Sequence, residues 1–511
     1  MKYQEKLPLL IPAIITFIIA LILIYKYTYP ISWDVYYHIH MANLYADNGL
    51  VFWDYQTVAP KGRLIMYPPL FHLVFAAIHN LTSISTFQLM RISQPVMAFM
   101  SILLITYSSY KITDTKTGLI TGFMAMTCFV TFNRSVIATP ATLALALSLT
   151  AIVYYYHATE DNSIKDYIIS ALIMALISNL HMATAILTVA VTALYTLILI
   201  LKRQIHWRNL LIFLVTLIVT ALPWWLYITI NYQLVFNSIK GSYLSVTWFL
   251  FKYYGLIPLT FTIIGYYTLY KKRSNKSVLL VVWTLALILL SQVTLLGFNT
   301  VSVRILEVAS YPLIIVAAIG FTAILNSINN VKYRRILLVV FIAYASIQAV
   351  NYTDSYTPDV IAPQDNPGLI MPYNVHQSTN PKDTLLKPSI ISLRYSDQQL
   401  AQDRHDVMEY FKGINDTKTV VCEDAIMDTI IASSTNMPVI YGGFTESIPE
   451  YVTDPVHIVH NMSTYNELEN LNIGYILLKA DTPTPYYAQL IHENNNYKIC
   501  KIRESNDETQ N

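Results

Sequence analysis

The chain has 511 residues, 54% of them apolar and only 13% charged, with a mean hydropathy of +0.44. These values exclude an ordinary soluble domain and indicate a polytopic membrane protein. A net charge of +2 argues against a nucleic-acid partner, and three cysteines exclude a disulfide-built scaffold.

The first apolar run, 9–25, follows Lys2 and Lys6 and could open a signal peptide. It ends in Tyr25-Lys26-Tyr27-Thr28-Tyr29, with no small-residue cleavage site, so a retained span is expected. Further helical-length apolar runs lie near 92–110, 117–132, 140–157, 167–180, 182–201, 209–230, 247–270, 277–296, 304–326 and 336–351. The expectation is a polytopic α-helical membrane protein of about 11–13 transmembrane helices, followed by a small soluble α/β domain. With the N-terminus inside, Lys111/Lys116, Lys202/Arg203/Arg208, Lys271/Lys272/Arg273/Lys276 and Lys332/Arg334/Arg335 all fall on the inner side, as the positive-inside rule requires. Counting Met66–Asn80 as a span would invert every later cluster, so this short apolar stretch is expected to be an interfacial or re-entrant helix. Residues 178–181 form the apex of an outer hairpin.

This places the first outer loop, 26–91, on the outer face, together with the tail 353–511. The tail carries none of the seven Trp residues and no run of membrane length. Its patterning predicts a helix over 398–412 and strands at Thr419–Cys422, Pro438–Tyr441, His457–Val459 and Tyr475–Leu478, after an extended strap over 353–390. The division expected is therefore a membrane domain over 1–352 and an extracytoplasmic domain over 353–511. A Cys422–Cys500 disulfide is open to an exported tail.

Two charges stand out. Asp34 follows the first span within Ser32-Trp33-Asp34-Val35-Tyr36-Tyr37-His38, where aromatics mark the membrane boundary. The alternative is a solvated loop carboxylate. Arg304 begins a late span on the same face and must find an anion. That anion is either Glu307, at i+3, in an internal structural pair, or a lipid-linked phosphate suited to a guanidinium fork. His38, His40, His72 and His79 crowd the first outer loop and His181 caps the hairpin, without firm metal-ligand spacing. Asp54 reads as a turn residue or an aid to Asp34, and Arg134 as a loop charge.

Taken in order, these features resemble the GT-C class of membrane glycosyltransferases, and most closely the catalytic subunit of oligosaccharyltransferase. The likeness rests on Asp34 beside paired aromatics, on Leu64-Ile65-Met66-Tyr67-Pro68-Pro69, on Asn133-Arg134-Ser135-Val136, on Arg304 and on the exported tail. The resemblance implies a polyprenyl-linked sugar donor, with Asp34 in the catalytic place, Arg304 at the donor phosphate and Tyr67-Pro68 in the first loop. The family's Asp-x-Glu, which helps to hold a divalent metal (Mg or Mn), is replaced by Ile137-Ala138-Thr139-Pro140-Ala141-Thr142-Leu143. Its Trp-Trp-Asp-Tyr-Gly acceptor motif falls on Cys422-Glu423-Asp424-Ala425-Ile426. These departures argue against protein N-glycosylation and leave Asp34 as the sole residue a metal would have.

The expected function is transfer of a sugar from a polyprenyl-phosphate-type carrier to a glycan, lipid or protein acceptor on the outer face, with inversion. Asp34 would be the base, and Arg304, His38, Tyr37, Tyr67, His181 and Glu307 would be substrate-binding. A non-catalytic scaffold descended from a glycosyltransferase, and a lipid or solute transporter, are the competing readings.

Overall fold

The computed structural model describes residues 4–26, 30, 32, 34–232, 243–298, 300–354, 398–442 and 465–503. A short 3-10 segment leads into α1 (Ile11–Lys26). The segment between α1 and α4 then supplies α2 (Asp34–Asn48), a hairpin of β1 (Trp53–Asp54) and β2 (Arg63–Leu64), and α3 (Leu70–Thr82). The bundle continues with α4 (Thr86–Ile112), α5 (Thr115–Thr127), α6 (Phe129–Ser135), α7 (Pro140–Glu160), α8 (Ile164–Leu180), α9 (Met182–Leu201) and α10 (Trp207–Tyr232). After α11 (Val246–Phe249) come α12 (Leu256–Lys272), α13 (Asn275–Leu290), α14 (Ser302–Ser327) and α15 (Val331–Asp354).

Local chemistry explains the boundaries. Ser85, Asp114, Ser163 and Ser274 each accept a backbone N–H at the start of α4, α5, α8 and α13, and Pro140 opens α7. Every apolar run expected to be a span is mostly helical, though 117–132 is divided at Cys128 and 247–270 at Gly255. Among the described residues, seven helices are long and apolar enough to cross a membrane: the first, α4, α7, α9, α10, α14 and α15. At the remaining runs stand α5, α8, α12 and α13, of 13, 17, 17 and 16 residues. The stretch 66–80 yields the short apolar helix α3 rather than a span.

α14 is the axis of the bundle and is buried along nearly all its length. It crosses α12 at two glycines. A Cβ on Gly265 would strike the Val316 carbonyl, and one on Gly320 the Phe261 carbonyl. Small residues are what let two backbones approach so closely in an apolar medium.

The C-terminal domain contains α16 (Gln398–Lys412), β3 (Thr419–Cys422), α17 (Ala425–Ser434), α18 (Tyr465–Asn470), β4 (Ile473–Lys479), β5 (Ala488–Glu493) and β6 (Tyr497–Ile502). The sheet runs β3-β4-β6-β5, with β3 parallel to β4 and the other pairs antiparallel. Helix 398–412 and strand Thr419–Cys422 lie where the patterning put them, and Tyr475–Leu478 lies within β4. Pro438–Tyr441 forms a single bridge, Val439 to Val420, rather than a strand. The expected strand at 457–459 and nearly all of the strap lie outside the described residues. Cys422 and Cys500 are free. They flank β4 in adjacent register, at Leu477 and Ile476, so they face opposite sides of the sheet and cannot bridge.

Asp428 on α17 is wholly buried beside Cys422, and burial pushes its carboxyl well above the ordinary carboxylate range. Its folded value lies above its unfolded one, so the contribution to stability is present in acid and lost as pH rises through the folded value. Asp428→Asn should therefore raise stability at neutral pH, by about 1–3 kcal/mol, and flatten its pH dependence. Thermal melting of the full chain in mild acid and mild base reads this, and destabilisation by Asn at neutral pH would refute it.

Candidate functional site

The site is assembled from helix ends. α2 starts at Asp34, so the carboxylate sits at the positive end of that helix, and His38 follows one turn later. Pro68-Pro69 bring the chain into α3, which carries His72. The seven-residue α6 carries Arg134, and the Thr142 hydroxyl holds it in place by donating to the Arg134 and Ile137 carbonyls at 3.0 and 2.6 Å. α14 places Arg304 and Glu307 in its first two turns. His181 is the single residue between α8 and α9.

These groups share one electrostatic neighbourhood. Burial pushes the Asp34 carboxyl above its ordinary value, against the pull of the Arg304 and Arg134 guanidinium groups, while Glu307 adds to the push. Arg134 is itself buried. Its Nε and Nη2 donate to the two Glu307 oxygens at 2.5 and 3.1 Å, and its Nη1 has no hydrogen-bond partner among the described residues. Arg304 Nη1 lies 3.7 Å from Glu307, with its side chain 31% exposed.

His38 Nδ1 and His72 Nε2 are 2.9 Å apart and the two rings stack at 5.1 Å. Burial, then the nearby His72, His181 and Arg134, hold His38 well below the ordinary imidazole value. Burial, then His40, push His72 down to about 3. Burial, then Arg134 and Arg304, push His181 to about 3 as well. All three are neutral at pH 7. His181 Nδ1 accepts from the Thr184 N–H at 3.3 Å, so the ring proton is on Nε2. Tyr67 joins the parts: its ring lies 5.3 Å from His38, 5.9 Å from Tyr37, 5.4 Å from His72 and 6.4 Å from His181.

The structure thus brings Asp34, His38, Tyr37, Tyr67, His181, Arg304 and Glu307 together. Several expectations are corrected. The principal partner of Glu307 is Arg134, not Arg304, because the bidentate fork reaches it from α6 while the i+3 contact is long. Arg134 is no loop charge, because α6 folds inward against α14. Its place in the Asn133-Arg134-Ser135-Val136 run was the one hint. Asp54 is a turn residue, its Oδ1 accepting from the Gln56 N–H at 2.9 Å, and its carboxylate is given to that turn and to His40 rather than to Asp34. It is wholly buried and its Oδ2 meets His40 Nε2 at 2.9 Å.

Among the described residues no three His, Cys, Asp or Glu side chains converge as a metal site. The stretch 137–143 has no acid and Glu307 is committed to Arg134, so the residues present do not fit a two-carboxylate Mg or Mn site. No step is routed through one.

The fold is similar to that of several solved GT-C membrane glycosyltransferases. In keeping with it, a family model described as dolichyl-phosphate-mannose-protein mannosyltransferase matches residues 66–227. The oligosaccharyltransferase of Archaeoglobus fulgidus superposes with a TM-score of 0.58 at 12% identity, covering 94% of this chain and 70% of that one. ArnT from Cupriavidus metallidurans, solved with undecaprenyl phosphate, gives 0.57 at 12%, covering 96% and 97%. The mycobacterial arabinofuranosyltransferase AftD gives 0.54 at 13%, covering 96% of this chain and 41% of its own. No curated protein sequence matches.

Proposed function

We propose that the chain transfers a sugar from a polyprenyl-phosphate carrier to an acceptor hydroxyl at the extracytoplasmic membrane surface, with inversion. The observation that carries this reading is one carboxylate, Asp34, set among two guanidinium groups, Arg304 and Arg134, at converging helix ends. The acceptor oxygen attacks the anomeric carbon, its proton passes to the Asp34 carboxylate, and the bond from that carbon to the phosphate oxygen breaks. Charge grows on the departing polyprenyl phosphate, where Arg304 stabilises it. Donors aimed at developing charge each contribute about 3 kcal/mol.

Charge balance favours a monophosphate donor. Asp34 and Glu307 offset Arg134 and Arg304, and the three histidines are neutral, so the cluster carries no net charge. A sugar phosphodiester brings one negative charge, a sugar diphosphate two. Each charge brought into this neutral, partly buried cluster must be desolvated, so the diphosphate, with two, is the costlier to hold. The buried Nη1 of Arg134, unpartnered among the described residues, is a donor that such an anion would satisfy. The relatives' own ligands point the same way: ArnT was solved with undecaprenyl phosphate and the archaeal oligosaccharyltransferase with dolichol-phosphate. The basic inner loops support an inside N-terminus and an outer site. Glycan, lipid and protein acceptors all fit the chemistry.

The test is donor turnover by the purified protein in lipid discs, with labelled sugar on polyprenyl monophosphate or diphosphate. Release of labelled sugar from the monophosphate alone is the expected result. No release from either, across glycan, lipid and peptide acceptors, would remove the enzyme reading.

A further inference from the structure

We infer that the C-terminal domain is a positioning element of the Asp34 site, working through His40 and Asn43; this rests on the function proposed above. The last carbonyls of a helix have no partner within it and must be satisfied from outside. On α17 two of them are satisfied by side chains of α2. His40 Nδ1 donates to the Ala432 carbonyl at 3.1 Å, and Asn43 Nδ2 to the Ser433 carbonyl at 2.9 Å. The helix that opens with Asp34 therefore caps a helix of the C-terminal domain from almost 400 positions away in sequence.

The contact is locked on both sides. His40 Nε2 meets Asp54 at 2.9 Å, so both ring nitrogens of His40 are engaged, one by each side of the contact. Asp54 also accepts from the Thr57 hydroxyl at 2.5 Å, and Thr57 in turn accepts from Arg63 Nε at 2.9 Å. The Arg63 guanidinium lies over the Tyr37 ring at 5.3 Å, and Tyr37 borders Tyr67 and His38. A second seam runs beside it. Val439 N donates to the Gln56 carbonyl, Ala59 N to Val439, and Val58 N to Tyr441, at 2.8 to 3.1 Å. Gly442, at a φ of +60°, ends that seam, and a Cβ there would strike Val439 and press on Thr57.

Asp34 and His38 thus sit on a helix braced by the C-terminal domain, whereas Arg304 sits on α14 in the bundle. Loosening the brace should misplace the base while leaving the donor cation where it is. His40→Gln removes one of the two bonds, and Asn43→Ala removes the other cap. Gly442→Ala wedges the seam from the far side, at a residue outside the site. Kinetics and hydrogen exchange of the α2 and α17 amides are measured on the full chain in lipid discs.

The expected result is a fall in kcat of roughly 10- to 100-fold, since a misplacement of about 1 Å has that cost. KM for the lipid donor stays within about twofold, and exchange rises in α2 and α17 together. A loss of function that followed only unfolding would instead reduce the active fraction, with exchange raised throughout the chain, and would overturn the inference. So would an unchanged kcat in variants whose α17 amides exchange faster. If the unaltered protein transfers no sugar, the proposed function fails; α2 exchange that stayed slow while α17 loosened would then overturn the brace separately.

Discussion

Asp34→Asn is expected to slow sugar transfer by at least about a hundredfold, the usual contribution of a positioned proton acceptor. The amide keeps the shape of the side chain but cannot take the acceptor proton. Donor binding through Arg304 and Arg134 should persist, so the loss should appear in kcat rather than in KM for the lipid. Stability should not fall, because burial outweighs the pull of the two guanidinium groups on this carboxyl, and the neutral side chain relieves that cost. The pH profile gives an independent check. A base must be deprotonated, so the rate should rise with pH through a value above that of an ordinary carboxylate. His72 and His181 are pushed to about 3, so neither produces that limb between about pH 5 and 8. Transfer by the Asn variant at the unaltered rate would remove Asp34 from the chemistry.

Glu307→Gln should have the largest effect on stability. It leaves Arg134, 1% exposed, without the carboxylate that takes two of its donors. Breaking a buried pair by removing one partner costs about 3–5 kcal/mol, because a charge stays buried and uncompensated. Arg134→Gln should cost as much from the other side. Replacing both, as Arg134→Met with Glu307→Leu, should recover much of the stability, since a well-packed apolar pair of similar size often matches a buried ion pair. It should not recover transfer, because Arg134 Nη1 is lost with it. Thermal melting of the three variants, read beside donor turnover, checks both halves. A double replacement as unstable as the singles would mean that the pair does more than neutralise itself.

Much of this site is legible along the chain because its charges are rare there. A carboxylate at a membrane boundary and an arginine opening an apolar span are costly, and each needs a reason within the fold. Arg134 was passed over because it stands in a polar-looking link between two spans. Only the short helix α6, turned inward against α14, makes it a buried residue. His40 and Asp54 were passed over for a related reason. Their spacing of 14 residues crosses the end of α2 and the loop into β1, and periodicity carries no information about how that corner folds back. β5 and β6 were missed because neither has the apolar run that marked β3 and β4: the edge strand β5 is mostly exposed or half-buried, and β6 is interrupted by Lys498 and Lys501.

By itself, the sequence determined the membrane class, the places of the spans and the presence of a short helix rather than a span near α3, since each follows from apolar length. It also marked Asp34 and Arg304 as charges in need of partners. Only the tertiary structure decided who those partners are: that Glu307 answers to Arg134, that Asp54 answers to His40, and that the C-terminal domain caps its own helix on α2. Pairings between residues hundreds of positions apart depend on how helices cross and which ends meet, and no local pattern encodes that.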